Sequence, residues 1–418
     1  MQITALGNKL GARGLSFLKE LPRDWKVTSI RSALNRFFYQ MLLPYLSIYT
    51  KALGASGTQL GMINSIGLGV SGFLGPVTGT LIDRFGPKKV YLVGISFLAL
   101  CYLIYGVAQN WLIVILAMLF YWLGYETTTQ GCIAVCATAL TPDKRATAMS
   151  LCETFAMGLL GMLGPLLGAS LVTRFGGANI SGIRPLFYVA LAGMIFTFFL
   201  ILTQLSNRNW SGSGKKQTGF FTGLNQVFSS GYGLKRAIVV IAITFLPMGM
   251  VIPFTHVFAR DAKLATPQVL GWMTTGFAFT PFVLGIPIGR LADRIGRKKV
   301  LYVTGFLYQV SLILLVIAPS AAFLVFSGIL QGFYSVNTVL ITAMLFEMVP
   351  KELMGRWIGI VRFFRLLLAA GAAYFAGFIA DKFGMQYIFL GMLALDLIVR
   401  MPLFITIPET LKKSMAGR

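Results

Sequence analysis

Apolar runs of about 20 residues alternate with short polar connections along most of the chain. An α-helix needs roughly 20 apolar residues to cross the ~30 Å hydrocarbon core of a membrane, and twelve runs approach or exceed that length. The predicted spans are 29–51, 58–81, 90–108, 112–138, 146–172, 184–204, 236–258, 267–290, 299–318, 321–348, 357–380 and 386–407. The sequence therefore predicts an all-α integral membrane protein with 12 transmembrane helices.

A polar stretch between the sixth and seventh spans divides the chain into two halves. Residues 205–235 are rich in glycine, serine and charged side chains, a composition typical of a flexible linker. We therefore predict two six-helix bundles joined by this linker. The predicted boundaries are 1–28 for an N-terminal tail, 29–204 and 236–407 for the bundles, and 408–418 for a C-terminal tail.

Composition agrees with a membrane protein and excludes an ordinary soluble domain. Hydrophobic residues make up 56% of the chain and charged residues 12%, with a mean hydropathy of +0.76, whereas about a quarter of the residues in soluble domains are charged. The net charge is +23, but no basic, aromatic-rich nucleic-acid module is present. About 26 of the 36 Lys and Arg residues fall on the side of the spans that carries the N-terminus. This asymmetry predicts a multi-pass protein of the cytoplasmic (inner) membrane with the linker and both termini in the cytoplasm.

Enzyme chemistry and metal binding are not predicted. No P-loop motif is present, and the four cysteines lie in apolar spans, where small buried hydrophobes are expected. The single histidine, His256, lies near the outer end of the seventh span, where a polar helix-end residue is expected. We therefore expect no cofactor, no metal and no catalytic residue.

One stretch of the chain occurs twice, at equivalent places in the two halves. The segment from Gly79 to Lys89 reads Gly-Thr-Leu-Ile-Asp-Arg-Phe-Gly-Pro-Lys-Lys, and that from Gly289 to Lys299 reads Gly-Arg-Leu-Ala-Asp-Arg-Ile-Gly-Arg-Lys-Lys. The second glycine predicts a positive-φ turn between helices. The aspartate suits an arginine partner or the first turn of the next helix, and the lysines suit water and lipid head groups.

The repeated stretch resembles the signature loop of the major facilitator superfamily, which lies between helices 2 and 3 and between helices 8 and 9. The resemblance implies two pseudo-symmetric bundles, with helices 1, 4, 7 and 10 around a central cavity and helices 2, 5, 8 and 11 at a moving interface. It also implies a cytoplasmic gate, to which Glu347 contributes by pairing with arginine. The implied gate and signature residues are Gly79, Asp83, Arg84, Gly86, Lys88, Gly289, Asp293, Arg294, Gly296, Arg297 and Glu347.

Ionisable residues inside spans are costly and are functional candidates by default. Glu126 is the sharpest candidate, because it lies mid-span on a helix expected to line the cavity and is followed by several polar residues. We expect it to lack a permanent partner and to take up and release protons. The other candidates for substrate binding or coupling are Arg36, Gln40, Gln130, Glu153, Arg362 and Arg365. Asp396 and Arg400 are one turn apart and are expected to neutralise each other on the twelfth span.

Two further family patterns are only partly present. Related proton-coupled transporters carry an arginine three residues before Gln-Gly in helix 4, but here that position is Thr127. Drug antiporters carry a glycine-rich helix 5 that ends Gly-Pro-x-x-Gly-Gly. The chain nearly matches this pattern, and we expect the following residues to pack helix 5 against the other half: Gly161, Gly164, Pro165 and Gly168. This near match favours export.

The sequence thus predicts a secondary transporter that moves a small organic solute by alternating access, with proton-coupled export as the main hypothesis. An organic-anion transporter that uses Arg36 with Arg362 or Arg365 is the alternative within transport. A transporter-like sensor or assembly protein is the alternative of a different class. The expected partners are a small-molecule substrate, protons and the lipid bilayer, without nucleic acid, and the chain is expected to be a monomer.

Overall fold

The computed structural model describes residues 20–140, 158–206, 234–346 and 354–406, and these ranges are helical without strands. Twelve helices run through them in chain order. The first six are α1 (Arg23–Ala52), α2 (Gly57–Phe85), α3 (Pro87–Val107), α4 (Trp111–Ala139), α5 (Leu159–Arg174) and α6 (Ile180–Gln204). Of the second six, α8 (Pro267–Ile295), α9 (Arg297–Ile317) and α11 (Met354–Lys382) are continuous. The others are interrupted: α7 (Leu234–Thr244, Leu246–Met250 and Ile252–Lys263), α10 (Ala321–Gln331 and Phe333–Phe346) and α12 (Gln386–Leu395, Asp396–Arg400 and Met401–Ile405).

Most of these helices can cross a membrane. Within the described ranges, nine helices are long and apolar enough to do so, and the Leu160–Arg174 part of α5 is a shorter apolar helix. α1 is less apolar than the other helices, because it carries several charged residues in its first half. The prediction of an all-α membrane protein is confirmed.

Proline explains the interruptions of α7, which the apolar pattern alone could not predict. Pro247 and Pro253 stand near the starts of the segments that follow Phe245 and Val251. Because proline has no N–H to donate to the preceding turn, the helix is broken before each of them. The span predicted at 236–258 is therefore segmented, and it continues to Lys263.

The repeated stretch forms the same tight turn in both halves. Gly86 has φ +83° between α2 and α3, and Gly296 has φ +108° between α8 and α9, so the predicted positive-φ turns are present. Lys88 Nζ donates to the Leu205 carbonyl at 2.6 Å, and Lys298 Nζ donates to the Ile405 carbonyl at 2.7 Å. These two lysines therefore cap the C-terminal ends of α6 and α12.

The two halves meet through two crossing helix pairs, α2 with α11 and α5 with α8. Glycine permits this contact, because a side chain at Gly61 would overlap the Ala373 carbonyl and one at Gly271 would overlap Pro165 and Ala169. These are the helices expected at the moving interface. Between the pairs, the halves enclose a central cavity.

A buried polar cluster lies away from this cavity, between α9 and α12. Arg400 pairs with Asp396 one turn earlier, with Nη2 to Oδ2 at 2.7 Å, and Gln309 Nε2 donates to the same carboxylate at 2.5 Å. The predicted neutralising pair is present. Its burial against α9 rather than against lipid explains how α12 carries two charges.

Candidate functional site

The central cavity has a volume of about 250 Å³, and seven Phe, Tyr and Trp residues are among those that line it. It is lined by α1, α4, α7 and α10, as the family resemblance implies, and also by α8. On one side, the Tyr39 and Tyr121 rings stack with centroids 5.7 Å apart, and the Tyr121 and Tyr125 rings stack at 6.0 Å. Trp122 of α4 also lines the cavity, and the second half of the chain contributes Phe245, Phe277 and Tyr334. The cavity is therefore suited to a solute with an aromatic or other flat apolar part.

Polar groups are placed at a few points of this wall. Arg36 and Gln40 face the cavity from α1, one turn apart. Gln40 is 2% exposed, and its Oε1 is buried without a hydrogen-bond partner in the described part of the chain. A buried acceptor left in this way is costly, so it is well placed to accept a hydrogen bond from a bound solute.

His256 lies on the cavity wall, which differs from its expected role as a helix-end residue. Its Nε2 is 2.8 Å from Thr274 Oγ1, and that hydroxyl donates its own hydrogen to the Leu270 carbonyl at 3.0 Å. A hydroxyl has only one hydrogen to donate, so His256 Nε2 must carry the proton of this bond. Nδ1 of the neutral ring is then an acceptor, and no hydrogen bond occupies it within the described residues.

Glu126 lies behind Tyr125 and joins the two halves. Its carboxylate is 1% exposed, accepts a hydrogen bond from Ser71 Oγ of α2 at 2.6 Å and forms an ion pair with Arg362 of α11. The expectation of a carboxylate without a partner is not met in this conformation. A buried carboxylate is tolerated because the opposite charge and the hydroxyl compensate for its lost hydration.

A second guanidinium stands near this ion pair. Arg365 stacks on Phe245, with Cζ 4.4 Å from the ring centroid, and forms no ion pair with the described residues. Its Nε is buried without a hydrogen-bond partner. No acidic residue is among the described residues that line the cavity, and Arg36 lies on its wall. Among the described residues at and near the cavity, Arg36 and Arg365 are therefore cationic, while Arg362 is paired with Glu126.

Some of the other predicted site residues lie outside the cavity lining or outside the described part of the chain. Gln130 lies one turn past Glu126 and is half-buried, outside the described cavity lining. Glu153 and Glu347, together with the surroundings of Gly79 and the side chain of Asp83, lie outside the described part of the chain.

The glycines of α5 pack differently from expectation. A side chain at Gly164 or Gly168 would overlap the backbone of α1 in the same half, at Phe37 and Met41. Contact with the other half comes from Pro165, whose carbonyl lies against Gly271, and from the turn next to Gly161, where Thr275 Oγ1 donates to the Met162 carbonyl at 3.0 Å. The Gly-x3-Gly spacing puts both glycines on one helix face, and α1 occupies that face.

Hydrogen bonds between the halves gather at one end of the bundle, which we call the seal end and define by Gly57, Thr58 and Asp381. The Asp381 carboxylate of α11 accepts from the backbone N–H groups of Gly57 and Thr58 and from Thr58 Oγ1, each at 2.7 Å. A carboxylate at the first turn of α2 is favoured by the unpaired N–H groups and by the helix dipole. This contact links the two halves at the end where α1 finishes and α2 begins.

Further contacts close the seal end beside Asp381, and two of them involve α1. Tyr45 OH donates to the Pro267 carbonyl at 3.1 Å, and Lys51 Nζ lies 3.4 Å from Asp261 Oδ2. Each joins α1 to the other half. By the Lys and Arg asymmetry, the seal end is the predicted outer side.

The opposite end carries the signature turns, and we call it the signature end, defined by Gly86 and Gly296. Asp293 pairs with Arg297 of its own turn at 3.4 Å and is largely exposed, while Arg84 and Arg294 are exposed. A side chain at Gly289 would meet no described atom within 4 Å, in contrast with Gly61 and Gly271 nearer the seal end. The structure is therefore closed at the seal end, and its signature turns are not engaged with one another through Asp293.

Some of these residues could not be selected from the sequence. The tyrosines on the wall look like ordinary aromatic residues of apolar spans. Asp381 follows the end of a predicted helix, where an acidic residue is common. Its role became visible only in the structure, where its carboxylate accepts a hydrogen bond from the Gly57 N–H group. His256 could be singled out because it is the only histidine. Its depth in the membrane could not be predicted, because it depended on where the seventh helix ends.

A many-span helical protein whose two halves surround a central cavity and seal it at one end is a membrane transporter in its architecture. Residues 29–264 and 237–416 match the family model described as "Major Facilitator Superfamily". The chain therefore belongs to this family and is a secondary transporter.

Curated relatives and solved structures agree with this assignment. Proteins named "Multidrug resistance protein MdtG" are 28% identical over 282 residues in Proteus mirabilis (strain HI4320) and 26% identical over 302 residues in Enterobacter lignolyticus (strain SCF1). These matches cover 64% and 68% of this chain and 66% and 69% of the relatives, so the chain aligns with about two thirds of their length.

Among solved structures, a point mutant of the nucleoside transporter NupG has a TM-score of 0.76 at 15% identity, covering 92% of this chain and all of that one. The human organic anion transporter MFSD10 (TETRAN) has a TM-score of 0.63 at 17% identity, with 91% and 99% covered. At these identities the likeness shows a shared fold.

Proposed function

We propose that this protein exports a small, amphiphilic, aromatic solute from the cytoplasm in exchange for protons. The observation that carries the proposal is the ion pair between Glu126 and Arg362, which joins the two halves directly behind an aromatic cavity. The name of the MdtG relatives, multidrug resistance protein, supports the direction and the broad solute class.

The pair gives a physical route for coupling. Protonation of Glu126 removes the negative charge that holds Arg362, so the central link between the halves weakens and the halves are released to rearrange. A solute seated on Tyr125 lies beside this pair and shields it from the water that would deliver a proton. Solute and proton then occupy the site alternately, which is the condition for exchange.

A transported anion is the second candidate, and the charges around the cavity favour it. Arg36 lies on the wall and Arg365 forms no ion pair among the described residues. A carboxylate of the solute would compete with Glu126 for Arg362, so anion binding would be easiest when Glu126 is protonated. This arrangement would move anion and proton in the same direction.

The two candidates give opposite responses to a pH gradient, so one flux experiment separates them. Vesicles containing the purified protein are loaded with a panel of neutral and anionic aromatic solutes, and efflux is followed after the external pH is lowered. Exchange predicts faster efflux in the presence of an inward proton gradient, and cotransport predicts slower efflux. Efflux equal to that of protein-free vesicles for every solute in both gradients would contradict transport and favour the sensor alternative.

A further inference from the structure

A second cavity opens beside the first. Its lining includes neither the Glu126–Arg362 pair nor the polar residues Arg36, Gln40 and His256. It has a volume of about 140 Å³ and lies between α1, α2, α3, α4 and α7, toward the seal end. We call it the side cavity and define it by Ser47, Leu60, Cys101 and Tyr102 on its wall. The two cavities share six lining residues: Tyr39, Leu43, Tyr121, Trp122, Met248 and Ile252. They are therefore two lobes of one space, separated by the Tyr39 and Tyr121 stack and its neighbours.

The side cavity is mostly apolar. Its lining includes leucines of α1, leucines and an isoleucine of α2, Cys101 and Trp122. An apolar cavity of about 150 Å³ admits a benzene-sized group, so the side cavity can hold a chain of about five heavy atoms. Burial of such a chain is favoured by the hydrophobic effect and needs no charged partner.

A few polar side chains interrupt this apolar surface, among them Ser47, Asn64 and Tyr102. Tyr102 is 2% exposed, and its hydroxyl is buried without a hydrogen-bond partner in the described part of the chain. Since a phenol hydroxyl in an apolar site normally finds a partner, this one is placed to serve a group that enters the cavity. The group would be an acceptor such as an ether or carbonyl oxygen.

We propose that the side cavity is a binding subsite for the apolar arm of the transported solute, and that Tyr102 donates a hydrogen bond to an acceptor on that arm. The inference rests on the proposed function and makes its substrate class more specific. The solute has an aromatic body, which lies among the rings of the central cavity. Its flexible arm passes the Tyr39 and Tyr121 stack and carries one uncharged oxygen.

Three phenols test the subsite in calorimetric titrations of the full chain in lipid nanodiscs, with empty nanodiscs subtracted. 4-Methylphenol has the body alone, 4-pentylphenol adds an apolar arm, and 4-(3-methoxypropyl)phenol has an arm of the same length with one oxygen. We expect the two long-armed compounds to bind at least about tenfold more tightly than 4-methylphenol, because several methylene groups are buried.

Two substitutions then separate the arm from the body. Tyr102→Phe keeps the ring and should weaken binding of the methoxypropyl compound about fivefold, while the other two compounds change less than twofold. Ser47→Leu fills part of the side cavity and should weaken both long-armed compounds without affecting 4-methylphenol. Tyr374→Phe, on an exposed face of α11, is the matched control and should change nothing. Retained 4-methylphenol binding shows that each variant is folded.

The outcomes distinguish the subsite from the function on which it rests. Long-arm affinities unchanged by Ser47→Leu, or an equal loss for all three compounds in Tyr102→Phe, would overturn the subsite while leaving the central cavity in place. If no compound binds the parent protein, the aromatic-solute cavity itself is contradicted, and the subsite with it.

Discussion

At the scale of single residues, the cavity contains a buried polar atom that lowers the stability of the fold. This atom is Gln40 Oε1, which is buried and has no hydrogen-bond partner among the described residues. An apolar side chain of the same size would avoid the cost of that stranded acceptor. The residue is better explained by a bound solute than by the stability of the protein.

Gln40→Met should therefore separate stability from binding. We expect the substitution to raise the apparent unfolding temperature, by relieving about 1 kcal/mol of desolvation cost. It should also weaken binding of hydrogen-bond-donating solutes about fivefold. Thermal unfolding in detergent and solute titration on the same preparation measure both effects. A variant that is less stable than the parent and binds equally well would show that Gln40 is a structural residue.

The sequence predicted the depth of Glu126 but not its partners. Its position in the middle of an apolar span was sufficient to select it, because a carboxylate inside the membrane is energetically costly and is therefore a functional candidate. Arg362 is 236 residues away in the chain, and Ser71 gives no signal beyond being a polar residue in a helix. The pairing of charged side chains depends on how the two halves pack against each other. The hydrophobic pattern does not predict that packing.

At the scale of helices, the lysines of the signature turns act as C-terminal caps. Lys88 and Lys298 occupy equivalent positions in the repeat, and each donates to the last turn of the final helix of its own half, α6 or α12. A cationic group at this position satisfies a carbonyl that the helix leaves unpaired and interacts favourably with the helix dipole. The repeat therefore holds each bundle together at the signature end.

Neighbouring lysines allow a matched test of this role. Lys88→Met should lower the free energy of unfolding by about 1 kcal/mol, because the Leu205 carbonyl loses its charged donor. Lys89→Met should have little effect, since Lys89 is exposed. Comparing the unfolding temperatures of the two variants checks the difference. Equal losses in both would indicate a general effect of charge at the membrane surface.

Most helix positions were predictable to within a few residues, except that α1 begins six residues before its predicted span, and the start of the fifth predicted span lies outside the described residues. Interruptions and partners were not predictable. The apolar runs located the helices because each must cover a bilayer, and the glycine turns followed from their repeat. The break at Phe245 depends on Pro247 and on the close approach of Gly249 to the Ala369 carbonyl of α11. That approach is a tertiary contact, and it decides where a proline-containing helix bends.

At the scale of the whole molecule, the described contacts differ between the two ends of the interface. The seal end is closed by Asp381, Tyr45 and Lys51, while Asp293 at the signature end pairs within its own turn. Alternating access requires the seal end to open when the signature end closes. Asp381 and the signature aspartates are then expected to favour opposite states.

Asp381→Asn should shift this equilibrium toward a seal-open state, because a charge-assisted contact with α2 becomes a weaker neutral one. A loss of about 1 kcal/mol changes the ratio of the states about fivefold. Labelling a cysteine placed in the cavity from either side of the membrane measures the change. Asp83→Asn is predicted to do the reverse, raising cytoplasmic access. Shifts in the same direction for both variants would rule out opposed gates.

The central claim is that protonation of Glu126 couples proton movement to transport, and Glu126→Gln tests it most directly. Glutamine keeps the size and hydrogen bonding of the side chain but cannot titrate or pair with Arg362 as an anion. The measurement compares solute transport driven by a pH gradient with solute counterflow at equal pH, in the same reconstituted vesicles. We predict that gradient-driven transport is lost while counterflow stays near the parental rate. Full pH-driven transport by the glutamine variant would contradict the claim.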